Sequence, residues 1–350
     1  MQQFEQPDQE LPGQPDQKRP SSKGWILWLL AALVLVPAGM AFWLGSYALT
    51  PGPAGTKPEA VVFIPRGTSV EQISSILDQA DLIHGDFRFV VLTRLMQVSA
   101  RLPAGEFRLK TSQTPVALIR ELVAARPLQH PVTIPEGLNI TEIAEIFAEG
   151  SWANPERFIA LSRDPQFIAG LGLPELASLE GYLYPDTYQI LKPAPTEEQL
   201  IRKLVNRALE VWNGLDSGKT DLNRHQVFTL ASIVEKETGR ADERPLIAAV
   251  FLNRLARNMK LQSDPTVIYG LEDFDGTLTQ TLLKSDTAYN TYRIAGLPPG
   301  PICSPGKDAL QAVISPAESN YLYFVSKNDG SHHFSTNLRE HNRAVRKYQR

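Results

Sequence analysis

The sequence predicts an α+β protein: one N-terminal transmembrane helix, a small strand–helix domain, and a larger mixed α+β domain. Three observations lead there. No charged residue occurs between Lys23 and Lys57, and residues 25–47 are almost wholly apolar. Beyond that stretch, short β-type runs lead through glycine turns into segments of helical periodicity. From residue 151 onward, longer helical patterns alternate with Pro-rich loops and short apolar strands.

The chain has 350 residues, 43% hydrophobic and 21% charged, enough for two ordinary domains plus accessory segments. A net charge of -3 and a pI near 6.1 supply no basic field, so nucleic acid is not an expected partner. Cys303 is the single cysteine and cannot form an intrachain disulfide.

Residues 1–22, rich in Gln, Pro and acidic side chains without apolar periodicity, read as a disordered cytoplasmic tail. Residues 23–49 are long and apolar enough for one membrane span, with Trp25, Trp28, Trp43 and Tyr47 toward its ends, where amphipathic rings favour the headgroups. Lys18, Arg19 and Lys23 precede it closely, which places the N-terminus in the cytoplasm and the bulk of the chain outside. A cleaved signal peptide is the competing reading, with Ser46-Tyr47-Ala48 a poor cleavage site. Residues 50–60, with their run of Pro and Gly, suit an extended tether leading away from the bilayer.

The small domain is assigned to residues 61–150. In it Ile64-Pro-Arg-Gly-Thr-Ser-Val-Glu-Gln-Ile73 is echoed by Ile134-Pro-Glu-Gly-Leu-Asn-Ile-Thr-Glu-Ile143, each reading as strand, tight turn and helix. Gly permits the turn, and Ser69 or Asn139 can cap the helix. A third unit, 106–109 then 115–123, lies between them. Such units resemble the LysM carbohydrate-binding module, while a small packing domain without a ligand fits the same pattern.

In the larger domain, residues 151–350, the stretch 152–173 reads as helical, 180–188 as non-helical and 197–212 as helix. A helix near 307–314, a strand at 321–325, an Asn328-Asp-Gly330 hairpin turn into 333–335, and a terminal helix after Thr336 complete it. The most informative helix is 227–238, whose Val227, Phe228, Leu230, Ala231 and Val234 form one apolar side. At roughly 100° per residue, Glu235 falls about 70° from the middle of that stripe and Glu237 about 90° on the other side. A carboxyl partly withdrawn from water favours its neutral form, the state general acid catalysis needs. Two glutamates at a solvated margin, paired with Lys236, Arg240 or Arg244, are the reading that the spacing alone favours, and geometry alone does not identify the acid.

The run Leu230-Ala-Ser-Ile-Val-Glu-Lys-Glu-Thr238, followed by Glu243-Arg244 and Val250-Phe-Leu-Asn-Arg254, resembles the signature of the YceG-like endolytic murein transglycosylase family. In the family's order, the chain also carries Glu180-Gly-Tyr-Leu-Tyr-Pro-Asp-Thr-Tyr188, Leu261-Gln-Ser-Asp-Pro-Thr-Val-Ile-Tyr-Gly270, Tyr289-Asn-Thr-Tyr292 and Gly296-Leu-Pro-Pro-Gly-Pro-Ile302. Tyr321-Leu-Tyr-Phe-Val325, His333-Phe-Ser-Thr-Asn337 and His341-Asn342 continue the likeness. The resemblance implies a membrane-anchored lytic transglycosylase that cuts nascent glycan strands outside a bacterial inner membrane, beside peptidoglycan synthases. It makes Glu235 the catalytic residue and Glu237 a supporting one, with no cofactor.

Gln262, Asp264, Tyr289, Asn290 and Tyr292 are candidates for holding sugar hydroxyls and N-acetyl groups, since amides, phenols and aromatic faces suit carbohydrate. Turn, core and cap roles are open to the same residues. Glu180 is a further candidate at the cleft, within a motif that also reads as structural. The spacing of His332, His333 and His341 matches no common zinc site, and no metal is expected. A muramidase-type hydrolase, with Asp264 or Glu237 handling water, and a non-catalytic wall-binding scaffold are the competing functions.

Overall fold

A computed structural model describes residues 24–53, 57–271 and 273–349. The expected tail, 1–22, and the basic residues before the span lie outside the described residues. The chain divides into two compact units, 1–127 and 128–350.

The first unit opens with helix α1 (Gly24–Leu49), whose residues 25–49 have a mean hydropathy of 2.2, long and apolar enough to cross a membrane. Its last turn joins the unit's own core, and residues 54–56 of the expected tether lie outside the described residues. Tyr47 and Ala48 are buried, the Tyr47 hydroxyl donates to the His84 carbonyl (3.0 Å), and the Gly52 N–H donates to the Gln113 carbonyl (2.9 Å). Strand β1 (Glu59–Ile64) turns at Gly67, with φ +79°, into α2 (Val70–Gln79), and α3 (Phe87–Leu95) follows. Strand β2 (Gly105–Lys110) pairs antiparallel with β1, Ile64 opposite Gly105, and α4 (Pro115–Ala124) covers it. Ile64, Leu77, Phe89, Phe107, Leu109 and Ile119 fill the space between.

The second repeat, β3 (Gln129–Thr133) and α5 (Ile140–Glu149), belongs to the second unit, so the division falls at 127/128 and not at 150/151. The cause is pairing at long range. β3 joins antiparallel to β4 (Thr187–Leu191), and Ile134, Ile140, Ile143 and Phe147 enter the larger core. Both repeats carry the same local chemistry: Ser69 and Asn139 each cap a helix in a reciprocal capping box with Gln72 and Glu142.

The helical stretch expected over 152–173 is two short helices, α6 (Pro155–Leu161) and α7 (Pro165–Ala169). Pro165 lacks the N–H needed to continue α6, and Asp164 caps α7 by accepting from the Phe167 N–H at 2.7 Å. Helix α8 (Glu197–Asn213) packs on α6. Helix α9 (Arg224–Glu237) forms the centre, touching α10 (Arg244–Ala256), α11 (Asp264–Tyr269) and α12 (Lys307–Ile314). Its residues from Val227 to Val234 are buried on every side, not along one stripe. The polar members are satisfied internally: Thr229 donates to the His225 carbonyl (2.7 Å) and Ser232 to the Thr229 carbonyl (2.7 Å). Strands β5 (Tyr323–Ser326) and β6 (His332–Ser335) form a hairpin against which α13 (Leu338–Tyr348) packs.

Candidate active site

The last turn of α9 presents its two glutamates to different surroundings. Glu235 Oε1 accepts from Arg244 Nη2 at 3.0 Å, and Oε2 accepts from the Gly306 N–H at 2.9 Å. Only 6% of the Glu235 side chain is exposed. Glu235 is therefore not an unpartnered carboxyl at a helix edge. As placed, it has two hydrogen-bond donors and a cation, and the ion pair with Arg244 is the alternative that the sequence left open.

Long-range loops build this environment. The Ser232 hydroxyl accepts from the Ile302 N–H (3.0 Å) and the Cys303 thiol donates to the Ser232 carbonyl (3.3 Å), which fixes the loop before α12 onto α9. That loop meets the β3–α5 turn: the Gly137 N–H donates to the Ser304 carbonyl (2.9 Å), and the Ser304 N–H to the Leu138 carbonyl (2.8 Å). Lys236 Nζ reaches the Gly137 carbonyl at 3.3 Å. The turn brings Glu136 to 3.7 Å from Arg244, and α12 brings Asp308 to 3.8 Å. A Cβ on Gly306 would meet the Glu136 carboxylate, which would have to swing away, so glycine here leaves room for that side chain.

Glu237 faces the other way. The Ser263 hydroxyl donates to Glu237 Oε1 (2.5 Å), and burial pushes this carboxyl up to about 7. Glu237 lines a cleft of about 520 Å³ together with Gln262, Asp264, Tyr292, Arg254 and Tyr323. Three of the expected sugar-contacting residues thus meet in one hollow. Gln262 and Asp264 are exposed, and the Tyr292 hydroxyl donates to Asp264 Oδ1 at 2.6 Å. Gln262 adopts φ +52°, a left-handed conformation at the edge of this hollow.

Tyr289, Asn290 and Glu180 do not line the cleft. Asn290 is wholly buried, donating to the carbonyls of Leu283 (3.1 Å) and Ser285 (2.6 Å) and accepting from the Tyr292 N–H (3.0 Å), so as placed it shapes its loop. Tyr289 sits edge-on to Tyr269, whose hydroxyl donates to Glu180 Oε2 at 3.0 Å. Burial pushes Glu180 up to about 7. The histidines are separately engaged: His332 Nδ1 lies 2.6 Å from Glu243 Oε2, and His341 stacks on Tyr323.

Sequence reading missed Glu136, Asp308 and Gly306. A signal for the first was available in the repeat, where Glu136 stands at the place of Arg66, a charge reversal in an otherwise matching turn.

The fold and these sites define a mixed α+β protein with an N-terminal apolar helix and carboxylates gathered about one core helix. A family model described as the YceG-like family matches residues 62–347, and the chain belongs to that family. It is 32% identical over 327 residues to the endolytic murein transglycosylase of Bacillus subtilis, covering 89% of this chain and 90% of that one. It is also 32% identical over 365 residues to the endolytic murein transglycosylase of Streptococcus pneumoniae strain R6, covering 92% of this chain and 65% of that protein. The crystal structure of a YceG-like protein from Listeria monocytogenes aligns with a TM-score of 0.58 at 32% identity, over 82% of this chain and 99% of the other.

Proposed function

We propose that this protein is an endolytic peptidoglycan lytic transglycosylase, held by α1 in a bacterial inner membrane with its N-terminus cytoplasmic and the chain after α1 outside. The observation that carries the reading is the match to curated relatives of that name across nine-tenths of this chain and of the Bacillus protein. Positive charge ahead of the span supports the orientation. The first unit supplies a LysM-like surface for glycan, and peptidoglycan synthases are the natural partners of an enzyme tethered where new strands emerge.

Glu235 is the acid/base. It gives its proton to the glycosidic oxygen between MurNAc and GlcNAc, and the C1–O bond breaks with its electron pair on the leaving oxygen. Positive charge develops on the MurNAc ring. The C6 hydroxyl of the same sugar then attacks C1 while its proton passes to Glu235, which restores the acid and leaves a 1,6-anhydro end. No water is consumed. Attack within one ring substitutes orientation for the second carboxylate that a hydrolase requires. Arg244 and the Gly306 N–H support the ionised form that Glu235 takes midway. Gln262, Asp264 and Tyr292 offer sugar contacts from the cleft that Glu237 lines, while Glu235 faces Arg244 and Gly306, and Asn290 holds the adjoining loop.

A second reading has a specific observation behind it: Glu237 lines the cleft, and burial pushes its carboxyl up to about 7. Glu235→Gln and Glu237→Gln in the full chain, digesting peptidoglycan with product masses recorded, separate the two. Glu235→Gln is expected to lose anhydro products by at least 100-fold, on the order of removing a general acid, with the fold intact by circular dichroism. Retained anhydro products in Glu235→Gln, together with their loss in Glu237→Gln, would move the role to Glu237. Reducing ends carrying added water in the native digest would reject the lytic route.

A further inference from the structure

A guanidinium on a carboxylate oxygen opposes protonation, yet an acid must hold its proton until the leaving oxygen receives it. The surroundings of Arg244 offer a way out. Its Nη2 lies 3.0 Å from Glu235 but also 3.7 Å from Glu136 Oε2, and Nη1 lies 3.8 Å from Asp308 Oδ2. Arg244 Nε is buried without a hydrogen-bond partner, so Glu235 does not saturate the fork. Glu136 and Asp308 thus stand just beyond hydrogen-bond reach of the same guanidinium. The Glu136 side chain is 48% exposed where that of Glu235 is 6%, so Glu136 offers Arg244 a more solvated acceptor.

Glu136 is also held in place. Gly137, at φ +82°, forms the turn; Lys236 and the 304–306 loop fasten it; and the missing side chain of Gly306 leaves room for the carboxylate. The charged and titratable groups around Glu136 are Glu235 and Lys236 on α9, Arg244 on α10, Asp308 on α12, and Tyr184.

We propose that Glu136 is a positioning residue for Glu235: it shares Arg244 with it and so sets how closely the guanidinium engages the Glu235 carboxylate. The proposal rests on Glu235 being the acid/base. Burial and the charge of Glu235 push Glu136 up, and the repulsion between the two carboxylates is mutual.

The test is a pH–rate profile of the full chain in detergent micelles acting on uncrosslinked peptidoglycan strands, with anhydro ends counted by mass spectrometry. Glu136→Gln is expected to move the alkaline limb down by about one pH unit, so activity measured on that limb falls about tenfold while rates on the acid side approach those of the native chain. Glu136→Asp restores most of the loss. An unchanged profile, or a uniform drop at every pH, overturns the proposal. Loss as complete as in Glu235→Gln at all pH values also overturns it, because Glu136 would then be a catalytic group itself. Full activity in Glu235→Gln is a separate result, which removes the underlying acid/base assignment.

Discussion

Glu180 and Glu237 show how burial alone sets a carboxyl's behaviour. Each is pushed up to about 7, so between the ordinary carboxylate range and that value the folded chain binds a proton that the unfolded chain has released. Stability contributed by each is therefore complete at low pH, declines as pH rises toward 7, and levels off above it. Glu180→Gln keeps the hydrogen-bonding shape and removes the titration. The native chain should lose on the order of 2 kcal/mol more than this variant between pH 5 and pH 8, read from denaturant melts at the two pH values. Parallel losses would mean that Glu180 is solvated in solution. At this scale the sequence showed two glutamates at the edges of an apolar helix face. Which one meets a guanidinium and which one a serine is decided by Arg244 and Ser263, from other elements.

Elements were the most legible level, because their signals sit within a few residues. The expected helix over 307–314 coincides with α12, and the repeat's strand, turn and capped helix occur twice as read. Where reading erred, at 152–173, apolar periodicity ran through Pro165 without allowing for its missing N–H. Helix α9 is locked at its start by Asn223, whose side chain accepts from the Gln226 N–H (2.9 Å) while Gln226 Oε1 accepts from the Asn223 N–H (3.0 Å). Asn223→Ala should cost about 1 kcal/mol, seen as faster amide exchange along α9. Transglycosylase activity should change little, since the core around Val227–Val234 still fixes the far end that bears the glutamates.

For the whole molecule, the consequence concerns the anchor. Tyr47 and Ala48 belong at once to the apolar helix and to the core of the first unit, so cutting the chain just after them removes core as well as span. A chain starting at residue 51 should have a first unit weaker by about 2–3 kcal/mol than one starting at residue 45. Amide exchange in β1 and β2 checks this; equal protection in both would show that the last turn of α1 contributes nothing to the core.

The sequence by itself determined the apolar span, the alternation of strand and capped helix, and the ordered motifs that mark the family. Each is a property of neighbouring residues, carried by periodicity, turn chemistry or residue order. Only the tertiary structure decided that β3 leaves the first unit to pair with β4, that Arg244 sits between Glu235, Glu136 and Asp308, and that Glu237 lines the cleft. The reason is range. Glu235 meets Gly306 across 71 positions and Lys236 meets Gly137 across 99, and the burial and charge of a site are sums over such distant groups.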